Sequence, residues 1–217
     1  MDQNQASVIA SVNPFETRWT KPGQMVFLPN GFTSISELTA QIMKHSPRCE
    51  ILGEHGVGKS SLLRALQSHL DQQSISNHLT TACGEFPHNN LPLKFATVKL
   101  LLRESDVLFI DGFEQLNWWT RRRIIRYSEK HDHSLIITCH QTQRLPCLVH
   151  LVATETLVLK LVHSLQQAQQ VGEVVAARDV RELYQRFGNN VRELLFACYD
   201  LFEQRTTAGK KQLRHKK

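Results

Sequence analysis

The sequence predicts an α/β fold: a three-layer parallel sheet with crossover helices, followed by a small C-terminal helical lid. Three observations predict it. From Cys49 onward, short apolar runs alternate with longer helical patterns, the signature of strand–helix–strand units. A glycine-rich loop stands between the first apolar run and the first helical pattern, and past about residue 154 the pattern turns to helices only. The chain has 217 residues, 41% apolar and 21% charged, which suits one domain with a small appendage and excludes wholesale disorder or a coiled-coil rod. No repeat of 20 to 50 residues is present, so a solenoid is excluded too.

Residues 1–34 carry Pro14, Pro22, Gly23 and Pro29 and read as an irregular arm packed on the body. A helix is predicted from Ile35 to about His45. Its cap is Ser34 with Glu37 three residues later, Ile35, Leu38, Ile42 and His45 share a face, and Pro47 closes it. The predicted strands are Cys49–Leu52, Leu79–Cys83, Val107–Ile110, Leu135–Thr138 and Leu148–Ala153. Helices are expected at Lys59–Leu70, Leu93–Glu104 and Gln115–Lys130, with a short turn near Gln141. The all-helical segment divides into Thr156–Gln169, Ala177–Phe187 and Asn190–Gln204. The resulting division is an arm at 1–34, an α/β domain at 35–154, a helical lid at 155–205 and a basic tail at 206–217.

Gly53, Glu54, His55, Gly56, Val57, Gly58, Lys59 and Ser60 fit G-x-x-x-x-G-K-[ST] in the required setting, after a strand and opening a helix. This is a phosphate-binding loop. Its glycines let consecutive N–H groups converge on an anion at the positive end of the following helix, with Ser61 in the first turn. Lys59 is expected to reach the β- and γ-phosphates of ATP, and Ser60 to offer its hydroxyl to Mg²⁺. His55 is expected to contribute backbone only. The expected fold is therefore that of a P-loop NTPase.

Val107-Leu108-Phe109-Ile110 runs into Asp111, a carboxylate placed to hold the same Mg²⁺. Glu114 has two readings: the base that activates water, or a helix-start glutamate favoured by the helix dipole. Leu135-Ile136-Ile137-Thr138-Cys139-His140 is a second apolar strand with a polar end, and His140 or Thr138 would lie near the γ-phosphate if this strand neighbours the first. Arg192 stands in the first turn of the last helix, where the dipole disfavours a cation, so a phosphate partner is one reason for it.

Together these residues resemble the AAA+ superfamily of P-loop ATPases, particularly its initiator-like and transposition-helper-like branches. The motifs are the loop GEHGVGKS, the strand ends LFID and IITCH, and GNNVREL, and the resemblance covers about residues 35–205. It implies Mg²⁺-dependent ATP binding and hydrolysis, a sensor-1 role for His140 or Thr138, a sensor-2 role for Arg192, and a trans arginine finger at Arg144 in a homo-oligomer. Gly112 departs from the pattern, because a glutamate usually follows Asp111. That departure favours the alternative reading, a nucleotide-gated switch with little or no hydrolysis that recruits a protein or nucleic-acid partner. The transporter-type ATPases would want an LSGGQ-like signature where this chain has TVKLLLRESD. GTP would want N-K-x-D, which is absent.

Trp118 and Trp119 stand beside Arg121, Arg122, Arg123 and Arg126. The preferred reading is that one Trp packs on the sheet while the arginines lie over the surface. Single-strand binding by stacking and phosphate neutralisation is the other. The five cysteines form no C-x-x-C pair and read as small buried apolar residues, and the terminal lysine run as a solvated tail. A net charge of +6 permits a polyanionic partner without requiring one. The most apolar stretch, Leu148 to Leu165, is interrupted by His150, Glu155, Lys160 and His163, so no membrane span is expected. The N-terminus lacks a secretory pattern, which gives a cytoplasmic reading.

Overall fold

The computed structural model describes residues 12–16, 34–45, 48–83 and 92–214. By their contacts these fall into two compact units, residues 34–54 with 58–152, and residues 12–16 with 55–57 and 153–214.

The first unit is a five-stranded parallel sheet with its helices. Helix α1 (Ile35–His45) starts where Ser34 Oγ accepts the Glu37 N–H at 3.1 Å, and it buries Leu38 and Ile42 as its periodicity predicts. The predicted stop at Pro47 lies outside the described residues. The strands are β1 (Arg48–Gly53), β2 (Asn77–Thr81), β3 (Val107–Asp111), β4 (Ser134–Cys139) and β5 (Cys147–Leu151). Their order across the sheet is β2-β3-β4-β1-β5. Parallel neighbours need long crossovers, which α2 (Lys59–Gln72), α3 (Phe95–Glu104) and α4 (Trp118–Lys130) supply.

Strand β4 lies between β3 and β1, with Ile136 opposite both Cys49 and Phe109. This insertion decides where the chemistry collects. The ends of β1, β3 and β4, far apart in sequence, come to one edge of the sheet. Val107–Ile110 and Leu135–Cys139 are buried throughout, as central strands covered on both faces must be. The helices fill the layers with residues at helical spacing: Leu62, Leu63, Leu66 and Leu70 from α2, Val98 and Leu102 from α3, and Ile124 from α4.

Several boundaries differ from those expected. Strand β2 begins two residues early and ends at Thr81, because pairing of Asn77–Thr81 with Val107–Asp111 sets its register and an edge strand tolerates Asn77 and His78. Cys83 instead forms an isolated bridge with Pro92. Strand β5 ends at Leu151, and Val152 is exposed. Helix α4 begins at Trp118 rather than Gln115, since Asn117 caps it by accepting the Thr120 N–H at 2.9 Å; Phe113–Gln115 form a separate 3₁₀ turn. Trp118 and Trp119 are both exposed, so the reading of one packed on the sheet is wrong. Cys49, Cys139 and Cys198 are buried, and burial pushes each thiol up to about 12, but Cys147 is exposed and Cys83 is half-buried, against expectation.

The second unit contains α5 (Glu155–Ala168), α6 (Ala177–Phe187) and α7 (Val191–Arg214). Thr154 caps α5 through the Leu157 N–H, and the Tyr184 hydroxyl donates to the Ala153 carbonyl at 2.8 Å. Helix α7 runs ten residues past the expected end at Gln204, through most of the predicted tail. Of the predicted arm, only residues 12–16 and 34 are described. Asn13 Nδ2 donates to Glu203 Oε1 at 2.8 Å and Phe15 meets Phe202 edge-on at 6.3 Å. No helix among the described residues is long and apolar enough to cross a membrane.

Asp179 joins α6 to α7. Its carboxylate accepts the Ala176 N–H at the helix start and a two-pronged pair from Arg205 at 2.6 and 2.9 Å. The Arg205 guanidinium holds this carboxyl below its ordinary value of 3.8. The pair therefore stabilises the fold above about pH 4 and that contribution is lost as pH falls through the lowered value. Arg205→Ala is expected to cost about 1 to 2 kcal/mol at pH 7, a modest figure because Arg205 is partly open to solvent. Melting curves should place the variant about 2 to 8 °C lower, with the gap closing in acid. A gap that did not narrow as the pH falls through the acid range below about 4 would contradict the assignment.

Candidate phosphate-binding site

Strand β1 ends at Gly53 and α2 starts at Lys59, so the loop between them is five residues long. Gly56 stands at φ +78, where a side chain is strained, and a Cβ there would lie 3.0 Å from the Arg192 backbone nitrogen and 3.1 Å from Asn190 Oδ1. Residue 56 therefore packs against the start of α7, which is where the sequence places Arg192. Glu54 and His55 are exposed, Val57 is buried, and Gly58 and Ser61 are half-buried.

Lys59 is buried, with its ammonium donating to the Gly53 carbonyl at 2.6 Å and the Glu54 carbonyl at 2.7 Å. Its Nζ is also 3.1 Å from His140 Nδ1. Burial holds its pKa below the usual lysine value, opposed by the charges of Glu114 and Asp111. An ammonium held by loop carbonyls in a partly desolvated place gains most from an arriving anion.

Ser60 Oγ donates to Asp111 Oδ2 at 2.6 Å. Thr138 Oγ1 donates to Asp111 Oδ1 at 2.5 Å and accepts the Gly112 N–H at 2.8 Å. Both oxygens of Asp111 are thus oriented, one by the loop helix and one by the middle strand. The hydroxyl of Ser60 and the carboxylate of Asp111 form a hard oxygen pair, the donor chemistry that Mg²⁺ takes, with its remaining positions left to phosphate and water. Among the described residues no cluster of three or more His, Cys, Asp or Glu forms a metal cage of the all-protein kind.

His140, just past β4, links the two halves of the site. Its Nε2 is 3.1 Å from Glu114 Oε1, and its Nδ1 is 2.9 Å from the Gly53 carbonyl. Nε2–H can donate to Glu114, while Nδ1 faces both the Gly53 carbonyl, to which it donates when protonated, and the Lys59 ammonium, from which it accepts when not. Glu114 stands in the first turn of the 3₁₀ helix, half-buried rather than fully solvated, and its Oε2 is buried with no hydrogen-bond partner among the described residues. A sheltered carboxylate oxygen with acceptor capacity to spare is what a water-activating base requires.

The structure thus brings Lys59, Ser60, Asp111, Glu114, Thr138 and His140 into one hydrogen-bonded group. Arg144 is not in it. It is exposed in the loop after β4, at φ +67.

Glu50 is a residue that sequence reasoning missed. It is buried in the middle of β1, yet its carboxylate accepts from Thr142 Oγ1 at 2.5 Å and from the Gln143 N–H at 2.7 Å. Gln143 Oε1 in turn accepts from Arg121 Nη1 at 2.7 Å. The loop that carries His140 and Arg144 is fastened to the sheet through this acid. The one signal in the sequence is an acidic residue inside the apolar run Cys49-Glu50-Ile51-Leu52.

Sheet order and C-terminal helices give the chain an α/β fold that matches that of AAA+ domains. It is similar to the replication initiator DnaA bound to AMPPCP and single-stranded DNA (TM-score 0.58, 13% identity, covering 88% of this chain and 67% of that one). It is also similar to domain III of the Thermotoga maritima DnaA (TM-score 0.55, 15% identity, 85% and 88% covered). A third likeness is to the Saccharomyces cerevisiae Hsp104–ADP complex (TM-score 0.57, 10% identity, 94% of this chain but 36% of that one). No family model and no curated protein matches the sequence.

Proposed function

We propose that this chain binds ATP with Mg²⁺ and hydrolyses it to ADP and phosphate. The observation that carries the reading is the Ser60–Asp111 hydrogen bond, which sets the loop hydroxyl against a strand-end carboxylate 51 residues away. Ser60 and Asp111 would hold the metal, which when bound offsets phosphate charge. Lys59 exchanges its loop carbonyls for phosphate oxygens, and backbone N–H groups of residues 54–61 complete the cradle. Glu114 takes the proton from the attacking water through Oε2, while His140 fixes Oε1. The resemblance implies a sensor-2 role for Arg192, and Arg144 would serve a neighbouring copy in an oligomer. The solved relatives point the same way, since DnaA and Hsp104 structures were determined with AMPPCP and ADP.

One observation favours a second reading, a nucleotide-gated switch. Glu114 Oε1 is held by His140, and Gly112 takes the position after Asp111. Calorimetric ATP binding and phosphate release, each with Mg²⁺ and with EDTA, separate the two. The ATPase reading expects Mg²⁺-dependent binding and turnover, with Lys59→Ala weakening ATP about 10- to 100-fold through loss of charge-assisted phosphate bonds. Tight binding without turnover supports the switch. No binding overturns both.

A further inference from the structure

The outer faces of α3 and α4 carry aromatic and cationic side chains that nucleotide chemistry leaves unused. At about 100° per residue, Trp118, Trp119, Arg122, Arg123 and Arg126 fall within an arc of about 140°, and all five are exposed. Trp119 is 70% exposed and Trp118 52%, values far from those of rings that pack in a core. The two indoles meet edge to face at 4.6 Å and 75°, and the Arg122 guanidinium lies 5.4 Å from the Trp118 ring centre.

The pattern continues without a break onto α3. Arg123 sits 4.3 Å over Phe95, whose ring meets Tyr127 edge-on at 5.8 Å. Lys99 lies 5.6 Å over Tyr127, and Arg103 Nε donates to the Tyr127 hydroxyl at 3.1 Å. The exposed indoles and arginines therefore share the outer face of α4, about 20 Å long, with Glu129 as an acidic residue on the same arc, while Phe95 and Tyr127 lie half-buried against the core beneath their cations. None of the five cations, Lys99, Arg103, Arg122, Arg123 and Arg126, forms an ion pair with a carboxylate among the described residues.

This composition selects its occupant. An apolar protein partner would desolvate several guanidiniums without compensation. A polyanion with regularly spaced charges satisfies them, and the rings between the cations ask for flat π-faces between the charges. A duplex keeps its base faces stacked inside, so a single strand fits both demands. We infer that the α3/α4 face binds single-stranded nucleic acid, with Trp118 and Trp119 as stacking platforms and Arg122, Arg123 and Arg126 on backbone phosphates.

The test uses the full chain and fluorescence anisotropy with two labelled probes of about 20 nucleotides, an oligothymidylate and an abasic strand of equal length. The wild type should bind oligothymidylate at least about tenfold more tightly than the abasic strand. The W118A/W119A variant should lose that preference while keeping the abasic affinity. Replacing Arg122 and Arg126 with Gln should reduce the slope of log affinity against log salt by about 1.4 for both probes. These side chains are exposed, so the variants should melt with the wild type, and Lys59→Ala should bind both strands as the wild type does. Equal binding of the two probes by the wild type overturns the stacking role. Unchanged oligothymidylate binding by W118A/W119A overturns it as well. Absence of binding at low salt overturns the inference and leaves this face to an acidic protein.

Discussion

Glu114→Gln is expected to lower kcat for ATP hydrolysis by about 10²- to 10⁴-fold while ATP affinity stays within about threefold. The amide is nearly isosteric and still accepts from His140 at one oxygen, so the turn at Phe113–Gln115 keeps its shape. What it removes is the basic oxygen at Oε2, the atom that is buried without a partner. Single-turnover phosphate release alongside calorimetric ATP binding separates the two effects. If kcat and affinity fell together, Glu114 would be holding the fold of the site rather than a proton. An unchanged kcat would remove Glu114 from the chemistry altogether.

Glu50→Ala should destabilise the protein by about 3 to 4 kcal/mol. The variant removes the charged acceptor of two hydrogen bonds, from the hydroxyl of the exposed Thr142 and the N–H of the half-buried Gln143, at about 1 to 3 kcal/mol each, and leaves space inside the sheet layer. A domain of this size should then melt about 6 to 16 °C lower. The conservative Glu50→Gln keeps one accepting oxygen and should recover about half of the loss. Loss of the fastening also frees the loop that carries His140, so turnover should fall more than ATP binding does. Equal melting of all three proteins would show that the loop is held by something other than this acid.

Much of the fold was legible because it rests on local signals. The apolar runs, the glycine-rich loop and the helical spacing of Leu62, Leu66 and Leu70 are properties of neighbouring residues, and they place β1, α2, β3 and β4 within a residue or two. Boundaries shifted where a partner elsewhere decides them, as β3 does for the register of β2. Asn117 moved the start of α4 by a local cap that the apolar pattern concealed.

The site was legible in its identities and hidden in its connections. Lys59, Ser60 and Asp111 stand out as motif residues. The bond from Thr138 to Asp111, the bridge from Glu114 through His140 to Lys59, and the Glu50 anchor join positions 26 to 93 residues apart, and only the order of strands brings them together. The tryptophans show the converse failure. Of two adjacent tryptophans on a surface helix one is ordinarily packed inward, and nothing in the chain announced that α4 would turn both outward.

The turn at Gly112 changes what the missing acid means. With φ at +71, residue 112 sits in a left-handed turn that strains any side chain, while a Cβ there would meet the movable end of Gln115 at 2.7 Å. A glutamate introduced there would strain the bend by about 1 to 2 kcal/mol. The backbone spends that position on a change of direction, and the next acid, at 114, is the one the bend aims back at the strand ends. If Glu114 serves as the base proposed above, it supplies from position 114 the carboxylate that position 112 lacks, and a motif search that counts positions would miss it.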